Sequence, residues 1–387
     1  MVKSMYSGLV KNLNSVKENI PKYSFTFVDG PSFTVSGAYG ETFNVQFKDK
    51  KTGIVHHNGN VGNCNFIKAN KSYYIDWEVK VIRLSTGEEF IYNLDLRGKR
   101  VFIVFESRAL GDNLAWLPYV EEFRKKWDCE IYCSTFWNHL FRDQYPNINF
   151  LEPGSGLGNL TALYRLGWFY NEDGSFSFSR VPNNFRLQPM QKTASDILGL
   201  EFEEIKPNIK LEDNVVKEKI VSIAIHGTAQ SKYWNNESGW QEVVNFLNGK
   251  GYRVILLSHE NDGHMGNRHP DGIEQLEKGD IYGVIRTLQK SEFFIGIGSG
   301  LSWLSWAVGT KSIIISGFSY KYTEPLNNVI RIETPLGKCT GCFNNHKLSP
   351  SDWHWCPIYK DTENHYECSK SITGQMVIDE IKKSGLI

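Results

Sequence analysis

Four cysteines crowd into thirty residues near the end of this 387-residue chain: Cys339, Cys342, Cys356 and Cys368. A C-x₂-C pair is followed by thirteen residues before Cys356 and eleven more before Cys368. A C-x₂-C turn sets two thiolates on one ion, and two more from a returning loop complete a tetrahedron that suits zinc or iron equally. His346, His354 and His365 lie in the same span, so one of them could replace a thiolate. The alternative is four ordinary reduced cysteines. The chain has seven cysteines in all, an odd number, and residues 1–21 lack the apolar core of a secretory signal. A disulfide framework is therefore not expected, and a cytoplasmic location is.

A second group of residues could move a proton. The turn Ser107-Arg-Ala-Leu-Gly-Asp-Asn113 follows the apolar run Val101-Phe-Ile-Val-Phe105. Gly111 lets the backbone bend, and Asp112 then stands near the start of a helix. Asp112 there is either an N-cap or a general base that takes a proton from an attacking hydroxyl.

A third group could hold phosphate. His226-Gly-Thr-Ala-Gln-Ser-Lys-Tyr-Trp234 follows the run Val221–Ile225. A loop of small residues and hydroxyls with one Lys suits a diphosphate, and Lys232 would neutralise charge growing on a leaving group. The competing reading is an exposed surface Lys. Gly298-Ser-Gly-Leu-Ser302 follows Phe293–Ile297 and precedes the apolar run Trp303–Val308. Glycines before a helix N-terminus present backbone N–H groups and the positive end of the helix dipole to an anion. No D-x-D is present to hold a metal–nucleotide complex, so phosphate neutralisation falls to Lys232 and the dipole.

The elements that must position these groups alternate strand and helix. Val101–Phe105, helix 114–127 and Cys129–Cys133 form a βαβ unit. Val221–Ile225, helix 240–247, Arg253–Ser258, Phe293–Ile297 and Ser312–Ser316 form a second series. Residues 191–198 read as helix, 154–184 as long loops, and 201–218 as a charged, Pro-containing linker. Two doubly wound domains in series, with ligands at the carboxyl ends of the strands, is the GT-B glycosyltransferase architecture.

Residues 20–98 read as strands Tyr23–Val28, Ser32–Val35, Thr42–Phe47, Ser72–Val79 and Glu89–Tyr92, with turns at Asn58-Gly59-Asn60 and Thr86-Gly87. The expected organisation is an all-β module over 1–98, an acceptor-side Rossmann-like domain over 99–210, a nucleotide-sugar domain over 211–335, and a Cys-rich metal segment with a terminal helix over 336–387.

Composition excludes other classes. Lys+Arg and Asp+Glu are 43 each, so no basic excess points to nucleic acid. No apolar run is long enough to span a membrane. Aromatics are 13% of the chain, with 11 Trp. These fill large cores and interfaces or form platforms for sugar stacking, and composition does not choose between the two.

Ala109-Leu-Gly-Asp112 resembles the N-domain motif of the ADP-heptose heptosyltransferases of lipopolysaccharide synthesis. His226-Gly-Thr228 with Lys232 and Trp234 resembles their donor loop. Gly298-Ser-Gly-Leu-Ser-Trp-Leu304 resembles their second phosphate loop, usually Asp-Thr-Gly-Leu-Ser-His-Leu, with Gly298 in place of the Asp and Trp303 in place of the His. The β region before these motifs and the four-Cys segment after them resemble the iron-containing bacterial autotransporter heptosyltransferases. The resemblance implies inverting transfer of heptose from ADP-heptose to Ser hydroxyls of an autotransporter adhesin passenger. It further implies Asp112 as base, a donor site at Thr228, Lys232, Ser299, Gly300, Leu301 and Ser302, one structural iron (zinc as alternative) on the four cysteines, and a dodecamer. Two alternatives stand beside it: a GT-B enzyme with another nucleotide-sugar or a glycan acceptor, and a non-catalytic binding or assembly protein on the same scaffold.

Overall fold

The computed structural model describes residues 21–387. The segment read as lacking a signal core therefore lies, apart from Pro21, outside the described residues.

Among the described residues three sheets organise the fold. The first has seven strands in the order Ile148–Phe150, Glu130–Ser134, Arg100–Phe105, Ala162–Leu166, Lys22–Val28, Ser32–Ser36 and Asn65–Lys68. Its first five strands run parallel, and its last two pairings are antiparallel. The second is wholly parallel, with six strands in the order Glu274–Gln275, Arg253–Leu256, Glu218–Ala224, Ser291–Ile297, Lys311–Ser316 and Val329–Glu333. Val101, Ile103, Val221, Ile223, Phe293 and Ile295 are fully buried, as strands covered on both faces require.

The third sheet is antiparallel, in the order Val55–Gly62, Thr42–Asp49, Trp77–Arg83 and Glu89–Asn93. The β-rich region expected as one module is thus divided. Three of its strands extend the first Rossmann-like sheet, and four form the antiparallel sheet. Aromatic packing joins the two: Phe25 stacks on Tyr92 with ring centroids 4.1 Å apart, and Tyr23 meets Phe43 edge-on at 5.7 Å. The two sheets share one core, with Phe27 and Phe33 from the first and Phe43, Val45, Phe47 and Val79 from the antiparallel sheet in a single buried cluster.

Other local expectations shift for stated reasons. Asn58-Gly59-Asn60, expected as a turn, lies inside the strand Val55–Gly62, where Gly59 is registered against Val45. The strand expected from Ser72 begins at Trp77, because Tyr74 instead stacks on Trp127 at 4.9 Å. Within the expected loops of 154–184, Ala162–Leu166 is a central strand between Arg100–Phe105 and Lys22–Val28.

The helix after the first motif spans Leu110–Trp127, and the helix after the glycine-serine loop spans Gly300–Val308. They come from different sheets and pack on each other, which closes the cleft at its base. The terminal helix Gly374–Lys383 packs on Gly239–Gly249 at the far side of the second sheet.

Candidate active site

The turns after the strands of both sheets open on one cavity of about 910 Å³. Asp112, Thr228, Lys232, Ser299, Gly300 and Leu301 all line it. Three loops far apart in sequence are thereby brought to one place.

Asp112 occupies the first turn of its helix, but it is not the cap; Ala109 holds that position and makes no side-chain cap bond. One carboxylate oxygen of Asp112 accepts from Ser107 Oγ at 2.5 Å and from Trp168 Nε1 at 2.8 Å. Asn113 holds the turn closed by donating to the carbonyls of Ser107 and Ala109 at 2.9 and 2.8 Å. Burial raises the Asp112 pKa above the ordinary carboxylate value, while the bonds from Ser107 and Trp168 and the charge of Lys232 oppose the rise. Among the described residues only one of its oxygens is so engaged, which leaves the other for a proton.

Lys232 closes the short 3₁₀ turn Gln230–Lys232. Its ammonium lies 5.6 Å from the centre of the Phe318 ring. Burial lowers its pKa, and Asp112 and Glu324 act against that shift. Among the described residues no carboxylate lies within 4 Å of its ammonium, which suits a group that waits for an anionic ligand.

The helix Gly300–Val308 begins at the cavity. Ser299 caps it in extended conformation without a side-chain cap bond, and its hydroxyl is buried with no partner in the cavity wall. A buried hydroxyl and the N-terminal N–H groups of a helix, on a cavity that Lys232 also lines, are groups that can receive an anion. Ser302 is placed differently. It is fully buried, does not line the cavity, and its hydroxyl donates to the Ile297 carbonyl at 2.6 Å, which fastens the loop to its strand.

Further wall residues carried no sequence role. Trp168 follows the strand that was read as loop. Behind the wall, Ser107, which holds Asp112, was read only as part of the turn. His226 was quoted within its loop; its Nδ1 meets Ser258 Oγ at 2.7 Å and Glu260 at 3.6 Å, its Nε2 is buried without a partner, and burial lowers its pKa to about 4. Glu324 lies on the wall, far from any motif in sequence.

The four cysteines converge behind the same cavity. Cys342 is buried, and its pKa is raised by burial and by the nearby thiols of Cys339, Cys368 and Cys356. Among the described residues no three His, Cys, Asp or Glu side chains close tightly enough to grip an ion. The donor set is nevertheless a group of four neighbouring free thiols in an apolar setting with Phe318 and Trp355, which fits a sulfur-ligated zinc or iron. This segment also holds the Lys232 loop: Gln230 N donates to Trp353 O at 3.0 Å, Trp234 Nε1 to Ile372 O at 2.7 Å, and Asn235 Nδ2 to Ser369 Oγ at 2.9 Å.

Two sheets of Rossmann type meeting over one cavity at their strand ends, with an acidic residue from one side and a cationic loop and helix N-terminus from the other, define a GT-B glycosyltransferase. Residues 187–349 match the model of glycosyltransferase family 9 (heptosyltransferase). The chain is 34% identical over 330 residues to the autotransporter heptosyltransferase Aah of Escherichia coli, covering 82% of this chain and 83% of that one. It superposes with a TM-score of 0.85 on the crystal structure of TibC from enterotoxigenic E. coli H10407, described as an iron-containing dodecameric glycosyltransferase, at 30% identity and with 94% and 96% of the two chains covered. TibC has also been solved in complex with ADP-D-β-D-heptose. A more distant relative, BimC of Burkholderia thailandensis, is 25% identical over 88% of this chain and 81% of its own and is described as an inactive autotransporter heptosyltransferase. The chain belongs to the autotransporter heptosyltransferase family.

Proposed function

We propose that this chain transfers heptose from ADP-heptose to Ser hydroxyls of an autotransporter adhesin passenger in the cytoplasm, with inversion at the sugar carbon. The observation that carries this reading is the convergence of Asp112, Lys232 and the start of the helix Gly300–Val308 on one cavity. Asp112 takes the proton from the Ser hydroxyl as that oxygen attacks the sugar from the side opposite the diphosphate. Its raised pKa makes it a better proton acceptor than a solvated carboxylate. Lys232, the Ser299 hydroxyl and the N–H groups at Gly300 and Leu301 receive the charge that collects on the departing ADP. Thr228, exposed at the cavity edge, lies on the same loop as Lys232 and is assigned to the donor.

BimC gives weight to a second reading, a non-catalytic member of the family; the convergence of Asp112 and Lys232 on one cavity supports turnover instead.

The domain division proposed from this reading is an acceptor-side unit over 99–210 with the strands Lys22–Val28, Ser32–Ser36 and Asn65–Lys68 added to it, a donor unit over 211–335, and a Cys-rich segment over 336–387. Cys339, Cys342, Cys356 and Cys368 would hold one iron, or zinc. The ion's part would be structural: it would hold the segment on which the Lys232 loop and Phe318 rest. A dodecamer is proposed on the likeness to TibC.

Calorimetry with ADP-heptose tests the donor site. The wild-type protein is expected to bind it, and Lys232→Ala to bind it about tenfold or more weakly, as loss of a charge-assisted contact implies. Equal affinity in the two proteins removes Lys232 from the site.

A further inference from the structure

Two glycines stand at the carboxyl ends of neighbouring strands, and each leaves the place of its side chain to a charged group of opposite sign. The strands Glu218–Ala224 and Ser291–Ile297 are paired, with Ile223 against Ile295 and Ala224 against Gly296. Beyond the first, a Cβ on Gly227 would stand 3.1 Å from Lys232 Cβ and 3.2 Å from Ile297 Cδ1, so the Lys232 stem lies over this glycine. Beyond the second, a Cβ on Gly298 would stand only 2.5 Å from Glu324 Oε1. The Glu324 carboxylate fills the space that any side chain at 298 would need.

Glu324 is 8% exposed and lines the cavity. Its carboxylate is clamped from behind. Ser319 Oγ donates to Oε1 at 3.0 Å, and the Arg331 guanidinium pairs with Oε2. Arg331, from the strand Val329–Glu333, donates in addition to the carbonyl and hydroxyl of Ser319 at 2.8 and 3.0 Å. A buried carboxylate held this firmly cannot swing away, so its charge has a fixed place.

We propose that Glu324 is the positioning residue for Lys232: seated over Gly298 and clamped by Arg331 and Ser319, it sets a fixed negative charge on the wall of the cavity that Lys232 also lines and, from beyond contact distance, draws the ammonium into the cavity before the donor arrives. A buried ammonium tends to lose its proton, and a fixed carboxylate opposes that loss. Two charges act on Lys232: Asp112 from the helix Leu110–Trp127, and Glu324 from the turn after Lys321–Thr323. His226, on the same strand-end loop as Lys232, is neutral in the working range, its pKa lowered to about 4. Gly298 thus leaves its side-chain space to a carboxylate that reaches it from another element.

This inference rests on Lys232 being the diphosphate group. The test is ADP binding by calorimetry between pH 6 and 10 with the full-length protein. Glu324→Gln alone leaves the buried Arg331 unpaired and can fail to fold, so the decisive variant is Glu324→Gln/Arg331→Met, which removes the buried pair as a unit. Its alkaline loss of ADP affinity is expected to begin about one pH unit lower than in wild type, so that affinity above that point is about tenfold weaker. A pair variant that folds and binds ADP with an unmoved alkaline limb overturns the role of Glu324, whatever its turnover. A wild-type protein that binds no ADP at any pH overturns the donor-site reading itself, and the two failures are distinct.

Discussion

Gly111 and Gly300, at the starts of helices from different sheets, are in backbone contact across the cleft: a Cβ on Gly300 would stand 3.2 Å from Gly111 N and 3.1 Å from Leu110 Cβ. From the other side, a Cβ on Gly111 would stand 3.0 Å from Trp303 Cδ1 and 3.4 Å from Gly300 Cα. Asp112 and Ser299 follow and precede these glycines, so the distance between proton acceptor and anion site is set by bare backbone.

Gly300→Ala therefore tests the cleft geometry. Backbone and a Cβ cannot rotate out of the way, so the two helix ends must part by a few tenths of an ångström. Stability should fall by about 1–3 kcal/mol, the usual cost of overpacking, and kcat/KM should fall with it. Denaturant unfolding and initial rates check both; a variant equal to wild type in both would show that the contact is looser than described.

Asp112→Asn keeps the shape that Ser107 and Trp168 hold and removes the base. Turnover should fall by roughly 10²–10⁴-fold with folding intact. The pH profile of the wild-type enzyme carries the same information. Activity needs Asp112 deprotonated, so with its pKa raised the acid limb lies above the ordinary carboxylate value. It also needs Lys232 protonated, and with that pKa lowered the alkaline limb lies below the ordinary lysine value. The profile should be bell-shaped and narrower than reference values imply, and Asp112→Asn should lose the acid limb. Near-wild-type turnover in Asp112→Asn would remove the assignment.

Much of this was legible before the structure. Continuous apolar runs such as Val101–Phe105 and Phe293–Ile297 mark buried parallel strands, and the loops that follow them contain Asp112, Lys232 and Ser299 at the cavity. What local sequence could not convey is partnership. Ala162–Leu166 is masked by the Gly- and Asn-rich residues before it, and its place is decided by the strands on either side. Lys22–Val28 reads as part of a β module, yet pairs with a strand more than a hundred residues later. Glu324 carries no motif, and its role depends on Gly298 and Arg331, neither of them adjacent to it in sequence. Ser302 shows the converse: its motif suggests a ligand contact, but the hydroxyl is used on the Ile297 carbonyl.

The cysteine cluster should carry an ion, and Cys339→Ser or Cys356→Ser should lose it. Elemental analysis of purified, active protein is expected to find iron, or zinc, near one per chain. Loss of the ion should lower thermal stability and loosen the loop that Gln230, Trp234 and Asn235 tie to the segment, so donor affinity should fall as well. Metal-free protein that is fully active would refute the site, and a four-cysteine variant with unchanged stability and assembly would refute its structural part.

Assembly should use surfaces outside the two Rossmann-type sheets. Ile54, Val55 and Ile91, all more than two-fifths exposed, lie on or beside the antiparallel sheet and offer apolar area to a partner copy. Light scattering at micromolar concentration should report a large homo-oligomer, and a monomer there would contradict the prediction.

The central claim is transfer of heptose to protein, and intact-mass measurement reads it directly. Incubation of the purified protein with ADP-heptose and an autotransporter passenger should shift the passenger in whole steps of one heptosyl residue, release ADP in equal amount, and do neither with Asp112→Asn. A passenger of unchanged mass beside a protein that binds ADP-heptose would contradict the account and leave a binding protein on a glycosyltransferase scaffold.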